Sequence, residues 1–260
     1  MAVTMTPSRT VARRASAVIA ACGALIGCGK APLDAVILDP ATLTSGLVAH
    51  WTFDDGAGTV VRDQSGNGHD GVLTGGTWIS SGRFGGALSL ASGDSIAVAS
   101  FPQATSGWTV SVWTRSSAAD LASASDISTV ISAETVFAGG WQIHLDNRPN
   151  YHRFDAAYWS GPNTMDYVVT LCPCIEADRW IHLTSVWDAS AGKTTLYLDD
   201  HAVDDAPMPT PILTGDSTLY MGTWNMFNRF LVGDLDDFAI WGRALQPTEI
   251  AAISSQSPGS

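Results

Sequence analysis

Trp108-Thr109-Val110-Ser111-Val112-Trp113 sets a large apolar residue at every second position and a small polar one between. A period of two belongs to a half-buried strand, because successive side chains leave a pleated backbone on opposite faces. Ser95-Ile96-Ala97-Val98, Trp141-Gln142-Ile143-His144-Leu145 and Thr195-Leu196-Tyr197-Leu198 repeat the pattern, and each run is expected to bury one face. Clusters of Gly and Asn (Gly66-Asn67-Gly68, Gly75-Gly76, Gly85-Gly86, Asn147 to Asn150) separate the runs at the spacing of many short antiparallel strands. Helical periodicity is confined to Pro247 to Ile253, where Gln246 or Thr248 starts a turn, Glu249 sits near the positive helix end, and Ile250 and Ile253 repeat at three. The chain therefore reads as all-β, a sandwich of two antiparallel sheets.

Upstream of this pattern, Arg9, Arg13 and Arg14 precede an apolar run from Ala15 to Ile26, and Leu25-Ile26-Gly27-Cys28 matches a lipobox. Residues 1–27 are expected to be a lipoprotein signal, starting at Met1 or Met5, after which Cys28 becomes the N-terminus with lipid on its sulfur. The run is too short to cross a bilayer as a helix. The rival is an ordinary secretory signal, for which Ala20, Cys22 and Ala24 offer small residues. Gly29 and Lys30 carry no acidic retention signal, which favours an outer-membrane or cell-surface address. Residues 28–45 lack periodicity and read as a tether, 46–253 as one domain and 254–260 as a tail.

The 260 residues hold 13 Lys and Arg against 25 Asp and Glu. Removal of the three signal arginines leaves ten basic residues against 25 acidic ones, a formal charge of −15. Nucleic acid is excluded as a partner on this ground, since phosphate binding needs a basic stripe and the basic residues here stand singly among carboxylates. The same charge attracts cations. Of the four cysteines, Cys22 leaves with the signal and Cys28 is lipidated. Cys172-Pro173-Cys174 remains as a strained local disulfide, with a metal or redox role as the alternatives.

Longer blocks carry a resemblance. Gly46-Leu47-Val48-Ala49-His50-Trp51-Thr52-Phe53-Asp54-Asp55-Gly56 with Asp63-Gln64-Ser65-Gly66-Asn67-Gly68-His69-Asp70-Gly71, then Gly82-Arg83-Phe84-Gly85-Gly86-Ala87-Leu88, Arg179-Trp180-Ile181-His182-Leu183 and Gly233-Asp234-Leu235-Asp236-Asp237-Phe238-Ala239-Ile240-Trp241, resemble concanavalin A-like, laminin G-like jelly-roll domains of secreted bacterial proteins. That resemblance implies a jelly-roll sandwich in which the end of the first strand lies beside the closing strand. It also implies a structural calcium, held by Asp54 and Asp236, with Asp63, Asn67 and Asp70 as alternates and carbonyls from Gly66 or Gly68. Where the family has Asp-Gly after its Leu-Tyr-Leu strand, Asp199-Asp200 stands here and puts a type I′ turn in doubt. The interrupted alternation around Asp236-Asp237 predicts a bulge that aims two carboxylates out of the sheet.

Enzymes of this fold need catalytic groups that the sequence does not display. Glu134, Glu176 and Glu249 are not spaced at two, as retaining glycosidases require. Gln142-Ile143-His144 matches a short motif of jelly-roll alginate lyases, yet the arginine-rich and Tyr-Lys-rich strands of those enzymes are missing. Most of the ten tryptophans sit in core-forming blocks. Tyr151 to Asn163 and Thr223 to Phe230 lie outside them and mix aromatics with polar groups, as a sugar site does. Trp159 and Trp224 are the expected exposed stacking rings, with Arg153, Asn163, Asn225 and Asn228 as the polar half. The reading is a surface-anchored, non-catalytic domain that binds carbohydrate or a protein partner; a purely structural or adhesive envelope lipoprotein comes second and a polysaccharide-degrading enzyme third.

Overall fold

A computed structural model describes residues 40–103, 106–123, 127–135, 139–148, 153–161, 164–170, 175–208, 218–224 and 228–257. Cys28, Asn163, Cys172, Cys174 and Asn225 lie outside the described residues, together with the signal and most of the tether.

The chain from Ala35 onward is one compact unit. A short helix α1 (Pro40–Thr44) leads into β1 (Leu47–Trp51), β2 (Val60–Val61), β3 (Gly71–Thr74), β4 (Thr77–Ile79), β5 (Ala87–Leu90) and β6 (Ser95–Val98). The long strand β7 (Gly107–Arg115) is followed by helix α2 (Ala118–Ser123) and by β8 (Ile127–Thr135), β9 (Gly139–Asp146), β10 (Arg153–Gly161) and β11 (Thr164–Val169). Then come β12 (Ile181–Asp188), β13 (Lys193–Leu198), β14 (His201–Pro207), β15 (Leu219–Met221), β16 (Gly233–Trp241) and helix α3 (Pro247–Ile253). The first sheet runs β14-β13-β12-β7-β16-β5-β4 with β1 also on β16; the second runs β11-β10-β9-β8-β15-β6-β3-β2. Every pairing is antiparallel, and the two eight-stranded sheets form the expected jelly-roll sandwich.

Register explains how the core assembles. Leu73, Ile96, Met221, Ile131, Ile143, Ala156 and Val168 face one another strand by strand across the second sheet, and all are buried. Leu88, Val110, Val112, Leu183, Leu196, Leu235, Phe238 and Ile240 complete that cluster from the first sheet. A second apolar cluster of Leu43, Val186, Tyr197, Ala239, Trp241, Leu245, Ile250 and Ile253 packs α1 and α3 on the other face of the first sheet. Both faces of β7 and β9 are therefore buried, where alternation predicted only one.

Helix α3 spans the predicted residues. Glu249 closes a capping box with Gln246 at its start and accepts from the Arg243 guanidinium at 2.6 and 2.9 Å. The tether ends sooner than expected. Leu43 is fully buried, its carbonyl accepts from Trp241 Nε1 at 2.6 Å, and Arg243 donates to the carbonyls of Thr42 and Ser45. Helix α2 shows a missed signal: Ser117 and Asp120 cap each other reciprocally, a Ser-x-x-Asp pattern visible in the sequence. The β13–β14 hairpin keeps a two-residue turn, with Asp199 itself in the left-handed region at φ 55°.

Candidate binding face and calcium ligands

Gln142 and His144 point away from the core, because Ile143 between them points into it. Across the ladder, His144 faces Asp155 on β10 and Thr129 on β8, while Gln142 faces Ala157 and Ser132. The outer face of the second sheet is thus polar at its centre. Residues 222–224 and 228–231 lie over it: Gly222 N donates to Val130 O, Ser132 Oγ to Thr223 O, and Thr129 N to Arg229 O. The Trp224 ring stands 5.8 Å from His144, and the Arg229 guanidinium lies 4.8 Å above that ring.

Trp159 and Trp224 were expected in solvent. They are 3% and 4% exposed, so neither is a free stacking platform. Neither belongs to the apolar clusters, however; their rings are covered on the polar side of the sheet rather than inside the sandwich. Arg153 is brought to the same face, and Asn228 is exposed on the overlying segment in a left-handed conformation. Four of the residues expected to bind ligand therefore share one face with His144, Asp155 and Arg229; sequence reading selected neither Asp155 nor Arg229, and weighed His144 only as part of a lyase motif.

Charge on this face is concentrated and partly desolvated. Arg148 Nε and Nη2 hold Asp146 at 2.8 and 2.7 Å, and Arg153 pairs with Asp146 at 3.4 Å and Asp155 at 3.2 Å. Burial pushes the Asp155 carboxyl up to about 6, against the pull of Arg153. For Asp146 burial acts in the same direction, but hydrogen bonds from Arg148 outweigh it and hold the pKa down. Burial, helped by the Arg229 charge, drives His144 down to about 3, and its Nε2 is buried without a hydrogen-bond partner.

On the first sheet, Ser111 Oγ and His182 Nε2 meet at 2.7 Å. Both residues are at most 2% exposed, and His182 Nδ1 faces the Asp199 carbonyl, so no substrate reaches the pair. Burial takes His182 down to about 4. A histidine depressed from 6.5 stabilises the fold above pH 6.5 and loses that contribution as pH falls toward its folded value. The unfolded chain takes up the proton first. Between pH 7.5 and 5, His182→Gln is expected to lose about 2 kcal/mol less stability than the parent in paired urea titrations. Equal losses would show that the imidazole is not held neutral.

The expected calcium ligands separate into two groups. Asp63 accepts from His50 N, Ser65 N, Ser65 Oγ and His69 N; these bonds overcome burial and lower its pKa. Asp70 accepts from Asp63 N, and Asn67 Nδ2 donates to the carbonyls of Leu47 and Val48. These three side chains build the 63–70 turn. Among the described residues no three His, Cys, Asp or Glu side chains gather as metal ligands.

Asp54 and Asp236 do converge, on the loop 82–86. Asp54 Oδ1 accepts from Gly86 N at 2.6 Å, and Asp236 Oδ2 from Arg83 N and Phe84 N at 2.6 and 2.8 Å. The predicted bulge is present between Asp236 and Ala239, but it turns both carboxylates into buried positions and not outward. Asp236 is fully buried, its Oδ1 has no hydrogen-bond partner, and burial raises its pKa to about 7. A buried carboxylate oxygen without a donor is of the kind a hard cation would take, and Asp54 on the same loop would be the second carboxylate.

The family model described as the concanavalin A-like lectin/glucanases superfamily matches residues 90–251. Among curated proteins none matches the chain. The binding domain of Paraclostridial Mosquitocidal Protein 1 superposes with a TM-score of 0.68 at 20% identity over 82% of this chain and 52% of its own. Domain 4 of AbnA, an extracellular arabinanase from Geobacillus stearothermophilus, in complex with arabinotriose, gives 0.65 at 19% identity over 80% and 98%. The botulinum neurotoxin serotype D ligand binding domain, in complex with N-acetylneuraminic acid, gives 0.65 at 16% over 83% and 52%. The chain thus spans about half the length of the two toxin domains. At these identities the likeness is one of fold.

Proposed function

We propose a binding rather than a catalytic role for this chain, which belongs to the concanavalin A-like lectin/glucanases superfamily. One observation carries the reading: Gln142, His144, Asp155, Trp159 and Trp224 are withdrawn from water on the outer face of the second sheet, outside both apolar clusters. Desolvating such polar groups costs free energy, and groups with shifted pKa values concentrate at functional sites. Arg148, Arg153, Asn228 and Arg229 form the rim that a carbohydrate or a protein partner meets first. The arabinotriose and N-acetylneuraminic acid held by two similarly folded domains support carbohydrate. His144 is 4% exposed beside Trp224, which supports binding over chemistry at that imidazole. In this reading lipid on Cys28 anchors the domain to the cell envelope.

A glycan array probed with the full chain, with and without chelator, tests the binding role. Arg153→Ala is expected to weaken a retained glycan by about 1 to 3 kcal/mol with the melt little changed. Trp224→Ala is expected to lower both binding and stability. Equal retention of parent and both variants on every glycan removes this face as the site.

A single structural calcium at Asp54 and Asp236 belongs to the same reading. With free calcium at 100 times Kd, the bound ion adds about 2.7 kcal/mol, and chelator is expected to lower Tm by several degrees. Asp236→Asn keeps an oxygen for the amides of Arg83 and Phe84 while deleting the charge, and is expected to abolish that response. Identical melts in EDTA and in millimolar calcium, on metal-free protein, end the claim.

A further inference from the structure

A cavity of about 790 Å³ opens at the other sheet, between β1, the 64–67 turn, Phe84 and Gly85, and the C-terminal Ser257. Its volume falls in the range of small-molecule sites. It is lined by a buried histidine–carboxylate contact: His50 Nε2 lies 2.7 Å from Asp237 Oδ1, and the two side chains are 5% and 3% exposed. Ser257 Oγ donates to the same Oδ1. Both of these contacts fall on Oδ1, and Asp237 lines the cavity. The backbone at Asp237 is left-handed at φ 47°, beside the bulge of β16. Without that bulge, the period of the strand would send this side chain elsewhere. Local strain of this kind persists where the surrounding structure enforces it and collects at ligand sites.

We propose that this cavity is a second ligand site, which takes a neutral saccharide through a hydroxyl donated to Asp237 Oδ2. The lining decides the chemical class. Thr52 and Gln64 present a hydroxyl and an amide, and Leu47 and Phe84 supply an apolar wall for the C–H face of a sugar ring. Asp54 and Asp237 are acidic, and the His50 ring is already bonded to Asp237. Among the described lining residues no Lys or Arg faces Asp54 and Asp237, so away from any cation on Asp54 an anionic sugar or phosphate meets the Asp237 carboxylate uncompensated. A neutral hydroxyl array offers donors to the carboxylate and acceptors to the Gln64 amide. The site is separate from the outer face of the second sheet and does not depend on it.

The test is a titration of the full chain with neutral aldoses (glucose, galactose, mannose, arabinose) and with glucuronic and galacturonic acids, followed by amide NMR shifts of His50, Ser65 and Ser257. At least one neutral aldose is expected to shift these amides with saturation below 100 mM, and the uronic acids are expected to leave them in place. Asp237→Asn keeps acceptors for His50 and Ser257, tolerates a positive φ, and is expected to weaken the neutral sugar at least tenfold while the calcium response persists. Ser257→Ala, which leaves the carboxylate intact, is expected to change affinity less than threefold. Silence of all three amides with every neutral aldose overturns the proposal, as does a sugar bound equally by parent and Asp237→Asn. A sugar lost with Arg153→Ala but kept with Asp237→Asn also overturns it, and leaves the outer-face reading standing.

Discussion

Trp241→Ala is expected to destabilise the protein by about 3 to 5 kcal/mol. The ring is fully buried in the cluster that seals α1 and α3 onto the first sheet, and its Nε1 is the donor to the Leu43 carbonyl. Truncation leaves a cavity between two helices and a strand and strands a buried acceptor, so two penalties act together. It also frees the segment before β1, since Leu43 packs on the lost ring. In urea melts the midpoint falls with little change in slope, and thermal melts lose on the order of 10 °C for a unit of this size. Amide exchange in residues 40–45 is expected to rise first. A loss under 1 kcal/mol would mean that the helices are not part of the cooperative unit.

Gly82→Ala is expected to cost about 3 kcal/mol, at the upper end of overpacking effects. A Cβ there would stand 1.9 Å from the Gly86 carbonyl oxygen and 2.6 Å from Asp236 Oδ2, and neither is the end of a flexible chain. The loop must open, and with it go the amide bonds of Arg83 and Phe84 to Asp236 and of Gly86 to Asp54. The variant is therefore expected to lose its calcium response along with its metal-free stability, whereas Asp236→Asn loses the response and keeps the stability of the metal-free parent. Chelator-dependent melts of the two proteins side by side check this. A Gly82→Ala protein with parental Tm would show that the loop is held less closely than its contacts indicate.

What the residues declare by themselves here is local. Alternation in Trp108 to Trp113 and in Ser95 to Val98 is enough for strands, because the period of side-chain direction along a strand is a property of the backbone alone. Pro247, Glu249 and the spacing of Ile250 and Ile253 mark α3 for the same reason: capping and periodicity act within one turn. The turn around Asp63 to Asp70 and the bulge after Asp236 were legible too, the first from its Gly and Asn, the second from broken alternation.

Which face each polar residue meets, and what covers it, only the tertiary structure decided. Gln142 and His144 look like the solvent side of an ordinary strand until residues 222–224 and 228–231 are laid over them. Trp159 and Trp224 look like exposed rings for the same reason. Their neighbours in sequence are Gly, Ser and Asn, while the groups that bury them come from other strands and loops. Asp236 and Asp237 are adjacent in the chain, yet the bulge sends one to the amides of the 82–86 loop and the other to His50 and Ser257. Burial, pKa and ligand access depend on contacts between residues far apart in sequence, and no local pattern encodes those contacts.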